Sequence, residues 1–157
     1  MALPAGSAPH SNMYIFVAVL SLGICGLSLS QEAPRTENKA TKHASENVAR
    51  GKYIVEDLAV CSQCHTPRDS NGYPDHAHWL EGAAVWLKPS DSIENWPLQA
   101  PRIAGNPPGT DAEMVKLLTT GIWRDGKPLR PPMPQFRMTQ ADAEAVVSYL
   151  KSVEPIN

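Results

Sequence analysis

With 157 residues the chain has room for one domain and a tail. At 42% hydrophobic residues and 15 prolines, it can build only a modest core carrying long loops. A net charge of −2 excludes the strong basic excess of a nucleic-acid binder, so no nucleic-acid partner is expected.

The first patterned stretch is an apolar run from Met13 to Leu29. It is longer than the apolar segment of a typical signal peptide and slightly short for a membrane span of about 20 residues. Ser28 and Ser30 suit a small-residue cleavage site, which would make Gln31 the mature start. No Lys or Arg precedes the run, so the usual basic n-region is missing, which a translation start at Met13 would account for; the nearest cations, Arg35, Lys39 and Lys42, follow it. Cys25 lies inside the run, and Ile24 before it is too large for a lipid-acylation site. Residues 1–30 are therefore expected to be an export signal or a retained membrane anchor. That puts the folded part in the periplasm or on the outer face of the cytoplasmic membrane. A buried helix of a non-exported protein is the alternative, and nothing nearby has a periodicity to match it. Residues 31–45 are polar and charged and read as a flexible linker.

The folded domain is expected over residues 46–157. Ser45 is the expected N-cap of a first helix, whose apolar side is Val48, Tyr53, Ile54, Val55, Leu58 and Ala59 at three- and four-residue steps. Gly51 costs such a helix about 1 kcal/mol relative to Ala, which implies a close contact at that point. The helix leads into Cys61-Ser62-Gln63-Cys64-His65. Two thiols at this spacing can each add to a vinyl group of a haem, and the adjacent imidazole can then bind the iron from one face. The implied cofactor is one covalently attached haem c on Cys61, Cys64 and His65. Two other uses of these residues are a zinc site completed by His76 or His78 and a thioredoxin-like dithiol. The first lacks a further ligand pair at finger-like spacing, and the second lacks a βαβ pattern.

From Thr66 to Gly109 there is little periodicity and much Pro, Gly and Asn. A loop this long inside a domain usually has a function, here to cover a cofactor. Trp79, Trp86 and Trp96 lie in it, either as loop packing or with an indole N–H for a haem propionate. Thr110-Asp111-Ala112-Glu113 is a capping box opening a second helix to about Thr120, with Gly121 at its end. A second Pro-rich stretch, Ile122 to Met138, follows. Thr139 caps a last helix with Ala143, Val146, Val147 and Leu150 on its buried side, ended by Pro155. With no strand alternation, the fold class is all-α, about three main helices joined by long loops.

Met114, Met133, Met138, His76 and His78 are the candidates for a second axial ligand. Met114 has the place of a core residue in the second helix, Met138 abuts the last helix, and the two histidines lie in a polar stretch. Met133 sits in Pro131-Pro132-Met133-Pro134, where flanking prolines restrict the backbone and remove donors. A stiff strap suits a thioether, a soft ligand too weak to hold its place unaided. Met133 is the expected ligand.

Arg50-Gly51-Lys52-Tyr53 leading into Cys61-Ser62-Gln63-Cys64-His65-Thr66-Pro67-Arg68 resembles the haem-attachment region of class I c-type cytochromes. The stretch from Leu118 through Pro131-Pro132-Met133-Pro134 to the helix ending Tyr149-Leu150-Lys151-Ser152 is similar to haem modules of bacterial membrane-bound alcohol and gluconate dehydrogenase cytochrome subunits. The resemblance covers residues 47 to 153 and implies a cytochrome c-like fold. It also implies covalent haem on Cys61 and Cys64, with His65 proximal and Met133 distal. In such modules a loop before the second helix runs past the haem; Ala100-Pro101-Arg102-Ile103 occupies that place. Pro101 and Arg102 are thus cofactor-binding candidates, Pro101 through its carbonyl to the His65 Nδ1–H. Those subunits usually carry three haem modules, and this sequence carries one C-x-x-C-H.

Ligation from both sides leaves no open position for bond-making chemistry, so the expected function is a non-enzymatic one-electron carrier. A haem enzyme or gas sensor with a vacant sixth site is the alternative. Partners would be redox proteins: a dehydrogenase, a quinol-oxidising complex or a terminal oxidase. Between 101 and 137, Arg102, Lys116, Arg124, Lys127, Arg130 and Arg137 outnumber Asp111, Glu113 and Asp125. This excess either solvates the surface or steers an acidic partner.

Overall fold

The computed structural model describes residues 39–89 and 91–154. The apolar run at 13–29, Cys25, most of the expected linker and Pro155 lie outside the described residues. Among the described residues no helix is long and apolar enough to cross a membrane.

Helix α1 spans Lys39–Tyr53. It starts six residues ahead of the expected cap, and Ser45 donates its hydroxyl to the Lys42 carbonyl within the helix instead of capping it. Residues 39–46 are exposed, with a Lys42–Glu46 pair at 3.9 Å. Good helix formers extend the helix where no apolar face exists for periodicity to detect. Past Tyr53 the backbone widens into a π-helical segment, Ile54–Leu58, which buries Ile54 and Val55.

Helix α2, Ser62–His65, is one turn laid over the cysteine motif. Two pairs of residues, β1 (Ala83–Ala84) and β2 (Gln99–Ala100), form a small antiparallel ladder with Ala83 opposite Ala100. Strands this short carry no alternation signal. Helix α3 spans Asp111–Thr120, with the Thr110/Glu113 capping box closed in both directions and Gly121 in the left-handed region at φ 71°. Helix α4 spans Gln140–Ser152, and Thr139 accepts from the Asp142 N–H at its start.

The core gathers Ile54, Val55, Leu80, Ile103, Ala104, Met114, Leu117, Leu118, Ala143, Val146, Val147, Tyr149 and Leu150. Helices α1 and α4 cross at Gly51. A Cβ built there would stand 1.9 Å from the Ala145 carbonyl oxygen and 2.7 Å from the Tyr149 Cβ. An Arg50–Asp142 ion pair at 2.9 Å flanks the crossing. The Tyr149 hydroxyl donates to the Glu56 carboxylate, which Lys52 also engages. Burial, helped by Glu56, pushes the Tyr149 phenol up to about 12. The arrangement is all-α, as expected for a cytochrome c-like fold, with long loops between the helices.

Candidate haem-attachment site

The π-helical segment ends the first helix and aims the motif. The Ala59 N–H reaches the Ile54 carbonyl at 2.8 Å and the Cys61 N–H reaches Val55 at 2.9 Å, both longer-range than an α-helical bond. Val60 between them sits at φ +45°, a costly conformation for a β-branched residue. The chain therefore turns sharply at Val60 before α2 begins, in place of the straight delivery into Cys61 that the sequence suggests. From Cys61 the α2 turn takes over, with the Cys64 and His65 N–H groups both bonded to the Cys61 carbonyl at 3.2 and 2.9 Å. Residues at i, i+3 and i+4 share a helix face, so Cys61, Cys64 and His65 lie on one side.

Both cysteines are free and half-buried. Burial pushes the Cys61 thiol up to about 11, so it is protonated at neutral pH. His65 is 6% exposed, with its Nδ1 2.7 Å from the Pro101 carbonyl oxygen. Burial lowers its pKa, and the Pro101 bond only partly opposes this. The ring is neutral at pH 7, and since a carbonyl can only accept, the proton sits on Nδ1. The Nε2 lone pair is then available to a metal.

Three further residues fix this imidazole. The Gly82 N–H donates to the His65 carbonyl at 2.7 Å. Gly82 is at φ +88°, and a Cβ there would meet the Arg102 nitrogen at 2.7 Å and the Ala100 oxygen at 2.9 Å, so only glycine fits between motif and Pro101 segment. The buried Thr66 hydroxyl accepts from the Leu80 N–H at 2.9 Å, and the Leu80 carbonyl accepts from Ile103 and Ala104. Sequence reasoning missed Gly82, Thr66 and Leu80. A loop glycine among several carries no mark of the contact it permits.

Arg102 is exposed and its Nε donates to the Ala104 carbonyl at 3.0 Å. The Trp86 indole donates to the Gln63 carbonyl and that of Trp96 to Leu87, both at 3.0 Å, so these indoles serve the protein's own main chain. Met114 is buried in the core and Met138 packs against it, whereas the half-buried Met133 stands outside that cluster. Its strap is pinned at both ends, Leu129 N–H to the Gly121 carbonyl at 2.8 Å and Met138 N–H to Leu118 at 3.0 Å. His76 stacks on Trp79 with centroids 4.6 Å apart, and His78 pairs with Asp75 at 2.8 Å. Among the described residues no group of three or more His, Cys, Asp or Glu is arranged to hold a metal ion, as a zinc module would require. Two free thiols and a neutral imidazole with an anchored Nδ1–H on one helix face fit a covalently held haem.

Comparison with known proteins agrees. The cytochrome c family model matches residues 48–154. The fructose dehydrogenase cytochrome subunit of Gluconobacter japonicus is 30% identical over 109 residues, 66% of this chain and 21% of that protein. A diheme cytochrome c-type protein of Cereibacter sphaeroides is 52% identical over 33 residues, 21% of this chain and 11% of that protein. A nicotinate dehydrogenase subunit of Pseudomonas putida is 25% identical over 127 residues, 76% of this chain and 10% of that protein. The chain thus spans about a fifth or less of the length of these relatives. Its match to the family model covers well over half of its own length, and the family carries covalently bound haem c: the chain belongs to the cytochrome c family.

Proposed function

We propose that the protein is an exported monohaem c-type cytochrome that passes single electrons between respiratory or dehydrogenase partners and performs no catalysis itself. The observation that carries this reading is the buried neutral His65, its Nδ1–H held by Pro101 in the same turn as two free thiols. When bound, a haem supplies a one-electron iron couple.

The chain's own residues do the rest. Cys61 and Cys64 would hold the group by thioether bonds, and His65 would offer Nε2 to the iron. The Pro101 carbonyl fixes the ring orientation and makes the imidazole a stronger donor. Met133 would offer its sulfur from a strap tethered at Leu129 and Met138, raising the potential relative to a harder ligand. Pro101, and Arg102 beside it, would lie along the haem. Filling both axial positions keeps other ligands out.

Residues 1–30 would export the domain and then be removed, or stay as a tether at the outer face of the cytoplasmic membrane. Two of the relatives are by name parts of dehydrogenases, which supports a dehydrogenase as one partner; a quinol-oxidising complex or terminal oxidase would be the other. Along the strap the exposed Arg124, Lys127, Arg130 and Arg137 outnumber Asp125. This face would steer an acidic partner, and raising ionic strength should then slow the bimolecular transfer several-fold; a salt-independent rate would remove the steering.

The purified protein tests the haem reading. After denaturation, colour should stay with the polypeptide at one iron per chain. Colour extracted into acidified organic solvent, or two irons per chain, would contradict it.

A further inference from the structure

The segment between β1 and β2 links the two parts of the site. Val85 N–H bonds to the Leu98 carbonyl at 3.0 Å, extending the ladder into a hairpin. The Trp96 indole bonds to the Leu87 carbonyl at 3.0 Å and staples the hairpin across its width. On one side the hairpin and its flanks grip the cysteine motif. Gly82 holds the His65 carbonyl, Pro101 holds the His65 imidazole and Trp86 holds the Gln63 carbonyl. Arg68 reinforces this, donating to the same Gln63 oxygen at 3.0 Å while lying over the Trp86 ring at 4.7 Å.

On the other side the hairpin meets the methionine strap. The exposed Arg130, three residues before Met133, donates from its guanidinium to the Asn95 carbonyl at 2.8 Å. Asn95 is at φ +58°, in the left-handed region Asn tolerates better than most residues. The strap's other bonds described above tie it to α3 and to the Gly121 that ends it; the Arg130 bond ties it to the element that holds His65.

We propose that Arg130 is a positioning residue: by gripping the Asn95 carbonyl it holds the Met133 strap in register with the His65 side through the hairpin. This deepens the proposed function and rests on Met133 being the second axial ligand. A thioether competes poorly for iron, so the fraction of time it stays bound depends on how firmly its strap is held from outside.

The test uses the ferric holoprotein titrated with imidazole, which competes with the methionine sulfur. Arg130→Ala should bind imidazole about five- to tenfold more tightly than the parent, the loss expected for one charge-assisted hydrogen bond near the surface. Its sulfur-to-iron charge-transfer band should also weaken. Arg130→Lys, which keeps the charge and a donor, should lie closer to the parent than to the Ala variant. Asn95→Gly should match the parent, because the acceptor is main-chain oxygen and glycine accepts the same backbone angle. Parental imidazole affinity in Arg130→Ala, or an equal effect in Asn95→Gly, overturns the proposal. Met133→Ala separates the two levels. If it keeps the charge-transfer band, the ligand assignment itself fails. If it loses the band while Arg130→Ala behaves as the parent, only the hairpin link fails.

Discussion

Gly51→Ala is expected to destabilise the folded protein by about 2 kcal/mol, even though alanine is the better helix former. In an exposed helix the change would gain about 1 kcal/mol. Here the new methyl would lie 1.9 Å from the Ala145 carbonyl oxygen and 2.7 Å from the Tyr149 Cβ, with main chain rather than a flexible side-chain end in the way. Helices α1 and α4 would have to part, at an overpacking cost near the upper end of the usual ~1–3 kcal/mol. Thermal unfolding of the holoprotein should show a midpoint lower by roughly 10 °C. A variant as stable as the parent would mean that the helices do not cross this closely. Parting them would also strain the bond from Tyr149 to Glu56, which lies within the π-helical segment that aims Cys61.

Met133→Ala is expected to remove the sulfur-to-iron charge-transfer band of the ferric protein completely while leaving the haem attached. Attachment would rest on Cys61 and Cys64, which lie on another element and would keep their proposed thioether bonds. The two other methionines among the described residues have occupations of their own. Met114 is 5% exposed inside the core, and Met138 packs on the core with its N–H bonded to the Leu118 carbonyl. Met114 would have to leave the core to reach a metal. Loss of the thioether should also lower the reduction potential. A retained band would move the assignment to Met138 or Met114.

The helices that pack were legible because their signals are local. Thr110 with Glu113, Thr139 before α4 and Gly121 after α3 each satisfy groups within a turn of themselves, so residue types at fixed spacing were enough. The cysteine motif was legible for the same reason. The exposed start of α1 was not, because Lys39 to Glu46 has no apolar face and its helicity rests on propensity alone. Nor was the turn at Val60, where a β-branched residue adopts an angle that its type argues against. The surrounding structure over-determines that angle: the π-helical bonds hold one side and the α2 turn holds the other.

The supports of His65 divide the same way. Pro101 could be named because a resemblance pointed to the loop before the second helix. Gly82, Thr66 and Leu80 act only through contacts with residues distant in the chain. Gly82 matters because the backbone of Ala100 and Arg102 passes within 3 Å of its missing side chain, a fact of packing that no local pattern encodes. The hairpin link through Trp86 and Arg130 likewise joins residues 23 and 35 positions apart.

The proposed ligation, imidazole and thioether on opposite sides of the iron, would let only electrons pass. Its most direct test is carbon monoxide added to the dithionite-reduced holoprotein at neutral pH. The parent should keep its ferrous spectrum unchanged, and Met133→Ala should shift fully to the carbonyl form. A parent that takes up carbon monoxide as readily as the variant would contradict the account and favour a haem protein with an open sixth position.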